Sequence, residues 1–241
     1  MIRGGVLVVL LGLLSVPLTL GWILQLLLGK ASAVIYPLEA PWALILEHGT
    51  LVTATTAVAL LLGTAGAVWA YAKPGTNTRK MLSTTGALLQ TVPPVAFLAL
   101  AVPILGFGSV PVFWALVAFA VLPIFHGTLA ALDSLPPGIQ NVAVGLGFSR
   151  WQRLIQIELP LAVPGIKAGL GTSVMINIGT ATIGATMGAG GLGRPIIAGI
   201  SEFQFSYLLQ GALTAGVLAL FADWALSFGF SFRKRHGRYR V

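Results

Sequence analysis

The stretch VPVFWALVAFAVLPIFHGTLAAL, Val110 to Leu132, carries no Asp, Glu, Lys or Arg over its whole length. A helix of about 20 mainly apolar residues crosses a hydrocarbon core about 30 Å thick, so this stretch reads as a membrane span. Five further segments have the same character: Val6–Leu28, Gly49–Ala72, Met81–Leu105, Val163–Met187 and Tyr207–Phe232. The composition agrees. Of 241 residues, 56% are hydrophobic and 8% charged, and the mean hydropathy is +0.93. Soluble domains carry about 25% charged residues, so this composition excludes a water-soluble globule, and the apolar excess excludes intrinsic disorder. The expected fold is an all-α integral membrane protein with six transmembrane helices, forming one domain over residues 1–241. Arg3 before an apolar run could mark a secretory signal. The run is about as long as a span and five more spans follow, so it is read as a retained helix.

Basic residues orient the spans. With the N-terminus in the cytoplasm, that side collects Arg3, Lys73, Arg79, Lys80, Arg150, Arg153, Lys167, Arg233, Lys234, Arg235, Arg238 and Arg240. Lys30 and Arg194 alone fall outside, so both termini are expected to be cytoplasmic. The terminal RKRHGRYR run follows a span directly. It is therefore read as an orientation signal that meets anionic lipid rather than as a nucleic-acid site.

The loops sort the remaining chemistry. KPGTNTRK, Lys73 to Lys80, is a tight turn punctuated by Pro74-Gly75. The largest insertion, Asp133 to Pro160, is bounded by Pro136-Pro137 and Pro160; it is too long for a turn and too polar to cross, so something must dock against it. On the outer side, Gly188–Ser206 is rich in glycine, holds Arg194 and Glu202, and could fold back over an external opening. Its Gly188-Ala-Gly190-Gly-Leu-Gly193 matches the dinucleotide fingerprint. That motif needs a strand before it and a helix after it, and here it ends a span, so a turn is the expectation. No G-x-x-x-x-G-K-[ST] occurs and there are no cysteines, so the chain offers no phosphate-cradling loop and no thiol chemistry. His48, His126 and His236 lack partners at metal spacing, and no metal site is expected.

Ionisable residues inside spans mark coupled carriers and intramembrane enzymes. Five of the six spans have none near their middles; Asp223, in the cytoplasmic half of the last, is the exception and is read as a structural polar contact. Gln90-Thr-Val-Pro93-Pro94 should break the third span, because proline removes backbone donors. The fifth span holds Thr172, Ser173, Asn177, Thr180, Thr182 and Thr186. Composition leaves two readings of it open, tight packing or the lining of a path. Gln90, Pro93, Pro94, Asn177, Thr180 and Thr182 are the candidate path residues. Small residues four apart, Gly165/Gly169 and Gly184/Gly188, are read as packing positions.

Within the cytoplasmic insertion, Asn141-Val-Ala143-Val-Gly-Leu-Gly147, nine residues, then Ile157-Glu-Leu159-Pro160 resembles the EAA loop of binding-protein-dependent ABC importer permeases, E-A-A-x-x-x-G, nine residues, I-x-L-P. Asn141 stands where that pattern has glutamate, and Val142 where it has the first alanine. From Gln90 to Asp223 the chain resembles, more narrowly, the glycine betaine, carnitine and choline (osmoprotectant) permeases. The segments that carry this are Gln90–Pro94, Leu105-Gly-Phe-Gly108, Gly147-Phe-Ser-Arg150 and Thr172–Thr182.

The resemblance implies the six-helix, MetI-like fold of type I importers, with residues 138–160 as a cytoplasmic coupling helix. Asn141, Ala143, Gly147, Ser149 and Arg150 would lie on or beside the ATPase contact, with Gly147 as the turn between two short helices. It implies an inner-membrane transporter subunit that is not itself an enzyme and holds no cofactor, ATP and magnesium being bound by the partner. The implied partners are two ATP-binding subunits, an extracytoplasmic substrate-binding protein and a second permease chain, either a copy or a relative. Two alternatives stand beside this: a methionine-type amino-acid importer permease, and a stand-alone secondary carrier or channel.

Overall fold

Long apolar runs rich in Ala, Leu and Val close their backbone hydrogen bonds within one segment, which is what a chain in lipid must do. The computed structural model describes residues 2–29, 34–73, 84, 86, 88 and 91–231, and their regular elements are all helical. They are α1 (Ile2–Ser15), α2 (Pro17–Leu28), α3 (Pro41–Ala72), α4 (Pro94–Leu105), α5 (Ser109–Asp133), α6 (Pro137–Gly145), α7 (Arg150–Arg153), a π turn (Leu154–Glu158), α8 (Leu159–Gly184), a 3-10 turn (Ala185–Met187), α9 (Gly193–Ser201) and α10 (Phe205–Ser231).

Among the described residues, four helical stretches are long and apolar enough to cross a membrane: Pro41–Ala72, Ser109–Asp133, Arg150–Met187 and Phe205–Ser227. The pair α1 and α2 would make a fifth if the two count as one span, but they are bent by 98°. This corrects the expectation of one helix over Val6–Leu28. Val16 is extended, at φ −98° and ψ 126°, and Pro17 opens the second helix. Proline disfavours helical backbone in the residue before it, so the first helix ends at Ser15. The expected third span, Met81–Leu105, is described only in part. Thr91 is helical, Val92 and Pro93 are not, and α4 restarts at Pro94 for 12 residues. Gln90 lies outside the described residues.

The chain divides into two compact units. The first takes in residues 1–55, 93–116 and 174–241. Its core is a cluster of Val52, Leu98, Val112, Leu116 and Ile178, joined by a second cluster of Tyr36, Leu44, Leu192 and Tyr207. Gly4 lies under the Trp224 ring, where a Cβ would fall 1.9 Å from its carbons.

The second unit takes in residues 56–92 and 117–173. Ala59, Ala67, Ala70, Ala120, Ile124 and Phe125 are buried there. A Cβ on Gly127 would sit 2.5 Å from the Gly165 carbonyl oxygen, and one on Gly169 would sit 2.4 Å from that of Pro123. The glycines at 165 and 169 are thus the packing positions their spacing suggested. Lipid is as apolar as the side chains, so close backbone approach replaces hydrophobic burial as the source of helix association.

Candidate functional site

The insertion between α5 and α8 folds as two short helices around a glycine turn. Pro137 begins α6, where its missing N–H and fixed φ suit the first helical position. At the other end, Phe148 N–H donates to the Ala143 carbonyl and Gly147 N–H to that of Val144, each at 3.0 Å, while Gly147 holds φ +82°. This is the Schellman arrangement, in which the left-handed position after the helix is best filled by glycine. Ser149 then caps α7. Its hydroxyl accepts from Gln152 N–H at 3.3 Å, and Gln152 Oε1 accepts from Ser149 N–H at 2.8 Å. The reciprocal pair is a capping box, legible in the sequence as Ser-x-x-Gln.

α7 does not stop. It runs through the π turn into α8, whose second residue is Pro160. Proline's ring would strike the carbonyl of Gln156 in an unbroken α-helix, and the wider turn relieves this. The π turn also spans a salt bridge, Arg153 Nε to Glu158 Oε1 at 2.9 Å, with the Glu158 side chain only 2% exposed. Gln140 Nε2 donates to the Tyr71 hydroxyl at 2.9 Å, and the Arg150 guanidinium donates to the Ala72 carbonyl at the end of α3. Lys73, 4.9 Å from the Trp69 ring centroid, is a second cation at that helix C-terminus, the end whose exposed carbonyls favour positive charge. Removing one partner of a buried pair strands the other. Arg153→Leu should therefore lower stability by about 3 kcal/mol, whereas Arg153→Leu with Glu158→Met should cost far less, as followed by thermal unfolding in detergent.

Of the residues the resemblance placed at this contact, Asn141 and Gly147 are exposed and Ala143 is buried. Ser149 acts as the cap, and Arg150 turns back onto α3. A half-open apolar groove lined by Ile139, Val142, Ala143, Leu146 and Ile157 lies along α6. Val142, Val144, Leu146, Trp151 and Ile155 all present more than half of their surface. Clustered exposed apolar side chains of this kind mark an interaction site.

In the first unit, the polar residues of α8 separate by face. Asn177 and Thr180 are buried. Asn177 Nδ2 donates to Thr55 Oγ1 at 3.2 Å, and two turns away along α3 His48 Nε2 donates to the Ile178 carbonyl at 3.2 Å. A carbonyl can only accept, so the proton sits on Nε2. Thr182 is half-buried and donates to the Gly179 carbonyl at 2.6 Å; Pro93 is exposed and Pro94 half-buried. The structure thus puts Asn177 in an interhelical seam, buries Thr180 and leaves Pro93 at a surface. In the second unit, Ser173 donates to the Ala120 carbonyl at 2.6 Å.

The glycine-rich loop of the first unit is a turn, not a nucleotide cradle. Gly188, Gly190 and Gly191 all hold positive φ. Gly191 N–H donates to Glu47 Oε2 at 2.8 Å, and Arg194 bridges Glu39 and Glu47, the latter at 3.1 Å. A Cβ on Gly190 would lie 2.2 Å from the Glu47 carboxylate. Beside this cluster, Tyr36 N–H donates to Gln210 Oε1 at 3.0 Å. Burial, then the Glu39 carboxylate, raises the Tyr36 phenol above its ordinary range. Sequence reading did not find the Arg194 partners, which lie 155 and 147 residues away, nor Tyr71, Gln140 and Glu158.

Comparison with known proteins places these features in a family. The model described as binding-protein-dependent transport system inner membrane component matches residues 60–228. The osmoprotectant import permease protein OsmW of Salmonella typhimurium is 42% identical over 144 residues, 58% of this chain and 67% of that one. The glycine betaine/carnitine/choline transport system permease protein OpuCB of Bacillus subtilis is 36% identical over 140 residues, 58% of this chain and 64% of that one. The chain thus spans about two thirds of the length of these relatives. Among solved structures, an inward-facing conformation of the MetNI methionine ABC transporter superposes with a TM-score of 0.68 at 18% identity, covering 75% of this chain and 90% of that one. At that identity the likeness speaks for the fold.

Proposed function

Because the chain belongs to the family of binding-protein-dependent transport system inner membrane components, we propose that it is the permease subunit of an ATP-driven importer for osmoprotectants of the glycine betaine, choline and carnitine class. The observation that carries the mechanism is the α6–Gly147–α7 segment. It is a preformed pair of capped helices with an exposed apolar face, and it is continuous with α8 through the π turn. A chain without a phosphate-cradling loop can use ATP only through a partner that moves a rigid element attached to its spans.

In this reading two ATPase subunits bind ATP and magnesium and grip that segment on the cytoplasmic side. A second permease chain completes the path, and an extracytoplasmic binding protein delivers the solute. Both termini and the Lys73, Arg150 and Arg153 cluster face the cytoplasm in this reading, which the distribution of basic residues supports. The substrate class rests on the relatives' names, so it is tested directly. Proteoliposomes holding the chain with its partners, loaded with ATP and given the binding protein outside, should accumulate labelled glycine betaine or choline, and unlabelled methionine should not compete. Competition by methionine would favour the amino-acid importer, and ATP-independent uptake would favour a stand-alone carrier.

The seam of α3 and α8 supplies a second test. Asn177→Leu fills the volume but removes the donor to Thr55, so Thr55 and its neighbours lose a buried polar partner. Uptake should fall while the ATPase still co-purifies with the variant. An unchanged uptake rate would return Asn177 to packing alone.

A further inference from the structure

A cavity of about 390 Å³ with mixed polar and apolar walls lies between the coupling segment and the end of α3, lined among others by Tyr71, Ala72, Leu132, Gln140, Arg150 and Leu154. Two elements that face each other across such a cavity are held in part by the side chains that bridge it. Two such bridges are seen among the described residues. Gln140 of α6 donates to the Tyr71 hydroxyl at 2.9 Å, and Arg150 of α7 donates to the Ala72 carbonyl, one of the orphan carbonyls at the α3 C-terminus. On its other side the segment joins α8 by the π turn, which the Arg153–Glu158 salt bridge spans.

We propose that Gln140 and Arg150 are positioning residues that tie the coupling segment to the end of α3 at Tyr71 and Ala72, so that an ATPase acting on the segment drives α3 together with α8. The inference rests on the permease reading above and adds a second helix to the output of the docking event. α8 receives the motion covalently, through a chain with no break in helical structure. α3 receives it through one neutral hydrogen bond and one guanidinium on a helix terminus. The two routes differ in what removes them. Loss of the side-chain bridges should leave the docking face, α6 and α7 intact, and should let ATP be hydrolysed without a matching movement of α3.

The absence of cysteine from the chain makes the test clean. Tyr71→Cys with Gln140→Cys removes the first bridge, and a short flexible thiol cross-linker then replaces it covalently. Without the linker, the ATP hydrolysed per solute imported should rise about fivefold, what one ordinary hydrogen bond is worth, with the ATPase still bound. With the linker, the ratio should return toward that of the unsubstituted chain. Tyr71→Phe, which keeps the ring and removes only the accepting oxygen, should raise the same ratio without any linker. Arrest of uptake by the linker would show that the segment and α3 must separate, and would overturn the proposal. So would an unchanged ratio in both unlinked variants. Loss of ATPase binding in the unlinked variants would also overturn it, by making Gln140 part of the docking surface. Failure of the unsubstituted chain to import solute with ATP would instead strike the permease reading itself, and this proposal would fall with it.

Discussion

Gly169→Leu should prevent the chain from reaching a stable fold in the membrane. The new Cβ would meet the Pro123 carbonyl oxygen at 2.4 Å and the Ile124 Cα at 2.8 Å, which are backbone atoms that no rotamer change can move aside. On the facing helix, Gly127 is equally close to the Gly165 carbonyl, so the two helices have no slack through which to slide apart locally. Overpacking of this kind costs about 3 kcal/mol, and in lipid no apolar burial offsets it, since separated helices are simply solvated by acyl chains. Unfolding of the purified protein in a denaturing detergent titration should show the loss. The control is Gly171→Leu on the same helix, where a Cβ meets nothing within 4 Å. Equal stability of the two variants would mean that the close crossing of α5 and α8 does not hold this unit together.

Gly147→Asp should abolish ATP-driven uptake while leaving the amount of chain in the membrane unchanged. No atom lies within 4 Å of a Cβ at this position, so the substitution meets no steric block. What it meets is the left-handed backbone at φ +82°, a cost of about 1 kcal/mol for an L residue and less for aspartate, which visits this region more readily than most. That is too small to unfold the protein. The damage falls on the exposed turn between α6 and α7, where a new carboxylate would sit beside apolar Val144 and Leu146 on the face proposed to enter the ATPase. Gly147→Ala separates the two effects, since it carries the strain without the charge, and uptake by that variant should be only partly reduced. Normal transport by Gly147→Asp would remove the coupling role from this turn.

The parts of the fold that were legible are those written in local sequence. Val110–Leu132 could hardly be anything but a buried or spanning helix. Prolines were not legible in the same way. Pro103, Pro123 and Pro164 lie inside helices, while Pro17 ends one and opens the next with a bend of 98°. Membrane helices tolerate proline wherever neighbours can satisfy the freed carbonyls, so one residue type gives opposite outcomes according to surroundings that sequence does not show.

The same limit applies to the sites. Ser173, Asn177 and Thr180 recur at the spacing of one helix face, so a common burial was available from periodicity; what they bond to was not. The Asn177 partner is 122 residues away and the Gln140 partner 69, and pairs at that separation leave no mark in a single sequence. The two short helices of the proposed coupling segment were expected through the resemblance to the EAA pattern, whose glycine, prolines and spacing suit helices joined by a turn. The bridges that tie it to α3 depend on tertiary proximity and emerged only from the structure.

The central claim, that this chain converts a partner's ATP hydrolysis into solute import, is tested most directly by purifying the tagged chain from its native membrane in mild detergent and identifying what accompanies it by mass spectrometry. The account predicts an ATPase with a phosphate-cradling loop in stoichiometric amount, lost from the complex when the α6–Gly147–α7 face is charged by Gly147→Asp. Recovery of the chain without any ATPase, together with solute transport that needs no ATP, would contradict it.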